Sequence, residues 1–191
     1  MSQIPQLMGE RALEHGIAMA VDHGGGSSSK MYVGGQAHAQ VAASSALTND
    51  ADPKELSEYK IPANALVAGS TIRVRAAGIA TAYNSGNLTI TLKLGSETIA
   101  SSAITPSQDD IYDFQSLIQV RTSGSTGTAV GISNFRVNAP ADQSTGSLKA
   151  SFTLDTTAKN SLQLVAEWGA AHSGNSIRSD IFVVDIVNPE T

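Results

Sequence analysis

The chain has 191 residues, a formal net charge of -5 and no cysteine. That length holds one sizeable domain, or one domain plus an arm, and the missing cysteines exclude a disulfide framework, thiol chemistry and any Cys-ligated metal. Lys and Arg number only 12 and are scattered, so no nucleic-acid partner held by charge is expected, and no apolar run reaches membrane-spanning length.

The N-terminal stretch MSQIPQLMGERALEHG carries charges where a signal peptide needs an apolar run, so Sec-type export is not expected. Residues 7–21 form the first candidate element. Leu13, Ile17 and Val21 recur every four residues, and Glu10 and Glu14 share another face, which predicts a short helix. Gly9 and Gly16 weaken it, and its length requires a partner surface. Next comes DHGGGSSSKMYVGG, residues 22–35. It fails as a phosphate loop, because Ser29 precedes Lys30 and Met31 follows it. Its composition is that of a flexible linker. Val41 and Leu47 are candidates for a first strand, and NDADPKELSEYK reads as a polar loop punctuated at Asp52-Pro53.

From residue 58 the pattern alternates with period two. In TIRVRAAGIATA, Ile72, Val74 and Ala76 face one way, and Arg73 and Arg75 the other. In NLTITLKLG, Leu88, Ile90, Leu92 and Leu94 share a face, and Gly95-Ser96 then makes a tight turn into ETIASSAI. Residues 105–113 read as a loop, and FQSLIQVRTSG and TAVGISNFRV as strands flanking SGSTG. After a loop at 138–146, Leu148, Ala150, Phe152 and Leu154 are expected to point inward. Leu162, Leu164, Ala166 and Trp168 share the next inward face, and SIRSDIFVVDIVN is the last strand. Eight or so short strands joined by turns predict an all-β antiparallel sandwich. The expected division is an arm and linker over 1–57 and a β-domain over 58–191.

Candidate chemistry is sparse. His15, His23, His38 and His172 show no metalloprotease spacing. Asp109, Asp110 and Asp113 share a loop, as do the acids of Asn49–Asp52, but EF-hand spacing is missing. No Gly-x-Ser-x-Gly elbow occurs, and Glu97, Asp155, Glu167 and Asp185 are scattered carboxylates. Glu167 beside Trp168 is a pair that can line a sugar site, but such a pair is more often a core Trp with its outward neighbour on the strand. Asn87-Leu88-Thr89 is a glycosylation sequon at a strand start. Arg73 and Arg75, with Arg121, Arg136 and Arg178, suit a contact surface or inter-subunit ion pairs, and equally a plain solvated sheet face. No catalytic, metal-ligating or cofactor-binding residue is assigned, and no enzyme is expected.

Several stretches together are familiar: EYKIPANALVAGSTIRVRAAGIAT, NLTITLKLGSETIA, FQSLIQVRTSGSTGT and LDTTAKNSLQLVAEWGAAHSGNSIRSDIFVVDIV. Over roughly 58–187 they resemble a β-sandwich domain of tailed-bacteriophage structural proteins. The shared features are the Ile-Pro-Ala-Asn-x-Leu-x-Ala-Gly start, Asp-Thr-Thr-Ala, the alternating Trp strand and the closing strand. The resemblance implies a jelly roll that assembles as a homotrimer. It also implies a place on the virion, on the outer capsid surface, after assembly in the host cytoplasm. Capsid decoration is the expected role, with the major capsid protein as partner. A head-fibre or receptor-binding knob is the alternative. The family supplies no catalytic residues. The arm would then make the capsid contact, through Leu7, Leu13, Ile17, Val21 and Tyr32.

Overall fold

The structure is a computed structural model and describes residues 35–83, 86–138 and 143–189. The helix expected over 7–21, the linker after it and the five arm residues named above lie outside the described residues. Eleven strands form two antiparallel sheets, with no helix among the described residues. In chain order they are β1 (Gly35–Ala39), β2 (Leu47–Thr48), β3 (Lys54–Ile61), β4 (Thr71–Thr81), β5 (Leu88–Leu94), β6 (Glu97–Ile104), β7 (Asp110–Thr122), β8 (Thr128–Val137), β9 (Gln143–Thr153), β10 (Asn160–Trp168) and β11 (Ser176–Val187). The seven-stranded sheet runs β1-β11-β4-β7-β8-β9, with β2 also on β11, and the four-stranded sheet runs β3-β10-β5-β6.

Setting aside the short β2 and the β8–β9 hairpin leaves β1-β11-β4-β7 facing β3-β10-β5-β6. This is a jelly-roll order, two interlocked Greek keys. The hairpin extends one sheet beyond β7. The first described strand of the roll is therefore β1, and the sandwich includes residues from 35 to 57, which the sequence pattern assigned to the arm and linker. β1 escapes a sequence reading because GQAHA contributes backbone pairing to β11 and almost no buried side chain. β3 escapes it because its charged residues face outward. There Glu55 and Glu58 accept hydrogen bonds from Gln163 and Ser161 of β10, while Leu56 and Ile61 turn into the core.

The inner faces meet in one apolar core. Trp168, Phe114, Phe182, Ile72, Leu92 and Leu164 are all essentially inaccessible. Its two open margins are closed by specific contacts. At one margin His38 of β1 stacks on Tyr59 of β3 with ring centroids 5.3 Å apart, and Ser57 Oγ donates to Gln40 Oε1 at 2.6 Å. At the other, Lys149 of β9 pairs with Glu97 of β6 at 3.1 Å.

Two of the register irregularities decide where particular side chains lie. In β11 a bulge between Ser179 and Ile181 pushes the Arg178 carbonyl toward β4. Only glycine fits opposite, since a Cβ on Gly78 would lie 2.0 Å from that oxygen. The same carbonyl accepts a hydrogen bond from the Tyr112 hydroxyl at 3.1 Å, and burial pushes that phenol well above its ordinary pKa. In β9 the register slips opposite Ala129–Gly131, so that Ala129 faces Phe152 while Gly131 faces Lys149. One residue of β8, Val130, is matched by two of β9, Ala150 and Ser151, and a one-residue slip exchanges faces. Phe152 and Leu154 point inward as expected, but Leu148 and Ala150 do not: both are exposed, Leu148 at 75%.

Strand direction gives the sandwich two unlike ends. Gly35 pairs with Ile186, at the end where β11 finishes. The turns at 62–70, 123–127 and 154–159 lie at this same end and are knitted together. Asn64 N–H donates to the Thr156 carbonyl, Gly124 N–H to Thr156 Oγ1, and Ser70 Oγ to Asn188 Oδ1 at 2.6 Å. Asn64 adopts φ 61 and Gly69 φ 88, conformations that Asn and Gly tolerate best. The opposite end gathers 82–83, 86–87, 105–109 and 169–175, tied by Ala82 N–H to the Ser107 carbonyl and Gly169 N–H to the Asn87 carbonyl. Asn138, which opens the β8–β9 connection, joins this end through its N–H to the Ile111 carbonyl.

Candidate functional site

The strands of the seven-stranded sheet bury alternate residues, so every other side chain of β11, β4, β7 and β8 stands on its outer face. Register aligns those side chains in rows. One row reads Asp185, Arg73, Leu117, Ile132 and Leu148, across β11, β4, β7, β8 and β9. The next reads Val183, Arg75, Gln115, Asn134 and Gly146. The twist of the sheet leaves a groove of about 380 Å³ along these rows, open to solvent. Arg73, Arg75, Gln115, Leu117, Ile132 and Asp185 line it.

The two arginines are in different states. Arg75 is engaged by Asp113, its Nε lying 3.2 Å from the carboxylate, and Gln115 Nε2 donates to the same carboxylate at 3.0 Å. Arg73 stands opposite Asp185 in register, yet neither makes a hydrogen bond or ion pair with any described residue. The groove thus presents, side by side, a cation and an anion with no partner among the described residues. Beside them runs an apolar stripe: Leu117 is 42% exposed, Ile132 55% and Leu148 75%. Isolated exposed apolar residues need no explanation, but three in one cross-strand row are a patch. Beneath it, the inward Ser116 and Ser133 hydroxyls satisfy each other at 2.9 Å, so the sheet under the groove is closed.

The other candidate groups do not assemble. Asp109 accepts from Thr81 Oγ1, Asp110 from the Ser107 N–H, and Asp113 holds Arg75. The three carboxylates therefore have separate structural tasks. Asp50 caps the Asp52 N–H and pairs with Lys54 at 3.3 Å. Among the described residues no group of three or more His, Asp or Glu is placed to hold a metal. Trp168 is buried in the core, while Glu167 faces out from the same strand, so the two form no sugar site together. Arg178 is held by Asp180 at 2.9 Å.

At the loop end, Tyr83 and His172 stack face to face, centroids 3.8 Å apart and planes within 4°. The His172 ring is oriented by Gly174, whose N–H donates to Nδ1 at 2.9 Å, and Asn175 Oδ1 accepts from the Tyr83 N–H. Tyr83 remains 51% exposed. The residues lie almost ninety positions apart in sequence, so no local pattern announces the pair.

No family model matches the chain, and no curated protein matches it. Among solved structures it is similar to the crystal structure of a polysaccharide lyase of family 18. The identity is 10%, over 78% of this chain and 90% of that one, with a TM-score of 0.32. A likeness of that size carries no argument about activity.

Proposed function

We propose that this chain is a structural protein of a bacteriophage virion. It decorates the outside of the capsid as a homotrimer and binds the major capsid protein through the segment before Gly35. The observation that carries this reading is the polarity of the sandwich. The segment 1–34 joins the domain at the knitted end, beside the edge of the seven-stranded sheet. At the opposite end meet the connections that carry the exposed Tyr83 and its partner His172. A module that attaches at its base and points its loops outward needs that division. Trimer formation turns three weak arm contacts into strong avidity at a symmetric site, and binding only the assembled shell stabilises it by mass action.

A second reading, a receptor-binding knob on a head fibre or tail, is favoured by the Tyr83–His172 stack, a rigid aromatic surface at the loop end. Immunogold electron microscopy of virions, with antibody raised to the full chain, separates the two. Gold spread over the head is the expected result. Gold confined to fibres or the tail would overturn decoration in favour of adhesion.

A further inference from the structure

We infer that the outer-face groove is the seat of residues 7–21 of the same protein. The inference concerns the free protein and stands whether or not the arm also touches a capsid. Four observations meet on it. The first is the row Leu117, Ile132 and Leu148, an exposed apolar stripe crossing three adjacent strands. Across two strand spacings it extends about 10 Å. The second is the spacing of Leu13, Ile17 and Val21. At helical rise that spacing sets Leu13 and Val21 about 12 Å apart, a match in length and in chemistry. The third is charge. The groove presents Arg73 and Asp185, each without a partner among the described residues. The segment offers Glu10 and Glu14 to the first and Arg11 to the second. Arg75 is already taken by Asp113, so Arg73 is the cation the acids would meet.

The fourth is reach. Residue 35 enters on β1, immediately beside β11, which forms one wall of the groove. From β1 to β8 is four strand steps, about 19 Å. Residues 22–34 span at most about 43 Å when extended, enough to bring 7–21 over the face of its own domain or of a neighbouring copy. A sequence of that length is too short to hold a helix alone, and the groove supplies the apolar surface that it lacks.

The cysteine-free chain makes the test direct. Full-length protein is made with the paired substitutions Ile17→Cys and Ile132→Cys, and separately with Ile17→Cys and Lys60→Cys, Lys60 being exposed on the outer side of the other sheet. Disulfide formation under a mild oxidant is followed on non-reducing gels. The expected result is that the Ile132 pair closes at least about tenfold faster than the Lys60 pair, because docking raises local concentration above that of a tether. A band at monomer mass means the seat is filled by the chain's own segment, and one at dimer mass by a neighbour's; either supports the seat. Adding Arg73→Glu slows closure severalfold. Equal rates for the two pairs, or no effect of Arg73→Glu, overturns the inference. So does rapid dimer formation by Ile132→Cys alone, which would mean that a second copy's sheet covers the face. All four positions substituted on the domain and arm leave Trp168 fluorescence as a check that the core is intact.

Discussion

Gly78→Ala is the sharpest probe of the fold. The added Cβ would stand 2.0 Å from the Arg178 carbonyl oxygen and 2.9 Å from the Tyr112 hydroxyl. Neither can yield cheaply: the first is backbone in a bulge of β11, and the second is the end of a fully buried ring. Relieving such an overlap costs about 1–3 kcal/mol, and separating Tyr112 from its acceptor adds about 1 kcal/mol. The total is about 3 kcal/mol, and a domain of this size loses about 2–4 °C per kcal/mol, so the thermal midpoint falls by about 6–12 °C. Gly146→Ala is the matched control. Its Cβ would meet only Asn134 Oδ1, at 3.5 Å, and replacing a strand glycine there leaves stability unchanged or raises it by about 0.5 kcal/mol. Urea unfolding followed by the fluorescence of Trp168, the chain's one tryptophan, measures both. Equal midpoints for the two variants would refute the close approach at the bulge.

Three further predictions follow from the same contacts. A chain beginning at residue 35 unfolds cooperatively, whereas one beginning at 58 lacks β1, β2 and half of β3, exposes the edge of β11 and aggregates; equal urea midpoints for the two would show those strands to be dispensable. Trp168→Ala destabilises by about 3–5 kcal/mol, read by circular dichroism, since its ring is buried in the core. Acid weakens the fold: the Thr157 hydroxyl and amide hold the Asp155 carboxyl below its ordinary value, and Ser161 does the same for Glu58. Depressed folded values mean that this stabilisation is present above the ordinary carboxyl range and is lost as pH falls through the lowered ones. Asp155→Asn should therefore flatten part of the decline in urea midpoint below about pH 5.

Alternation made β4, β5, β10 and β11 legible, because each buries every second residue against the opposite sheet. It failed where side chains do not report the backbone. β1 is recognised by its pairing partner, not by its own residues. β3 hides its strand character under charges that β10 satisfies. In β9 the slip opposite Ala129–Gly131 sends Leu148 outward while Phe152 stays in, which no periodic reading can foresee. The groove was half visible. Arg73 and Arg75 announce a shared outward face, but Leu117, Ile132 and Asp185 join them only through register, a property of four strands together. The Tyr83–His172 stack depends in the same way on two loops meeting at one end.

Two of the stretches behind the phage resemblance, the Ile-Pro-Ala-Asn-x-Leu-x-Ala-Gly start and Asp-Thr-Thr-Ala, lie at one end of the sandwich. Ile61 and Leu66 are buried; Asn64 and Gly69 supply the positive φ values of the turn between them and β4; Thr156 accepts the Gly124 N–H and receives Asn64. All of these belong to the knitted end, and each is accounted for by backbone geometry or core packing. A pattern resting on such residues reflects turn geometry and core packing. It says little about the loop end or the outer face, where the unpaired Arg73 and Asp185, the Leu117–Ile132–Leu148 stripe and the aromatic stack are found. Two modules sharing the knitted end can therefore differ entirely in what they bind, and substitutions on the outer face should change partners while leaving the fold intact.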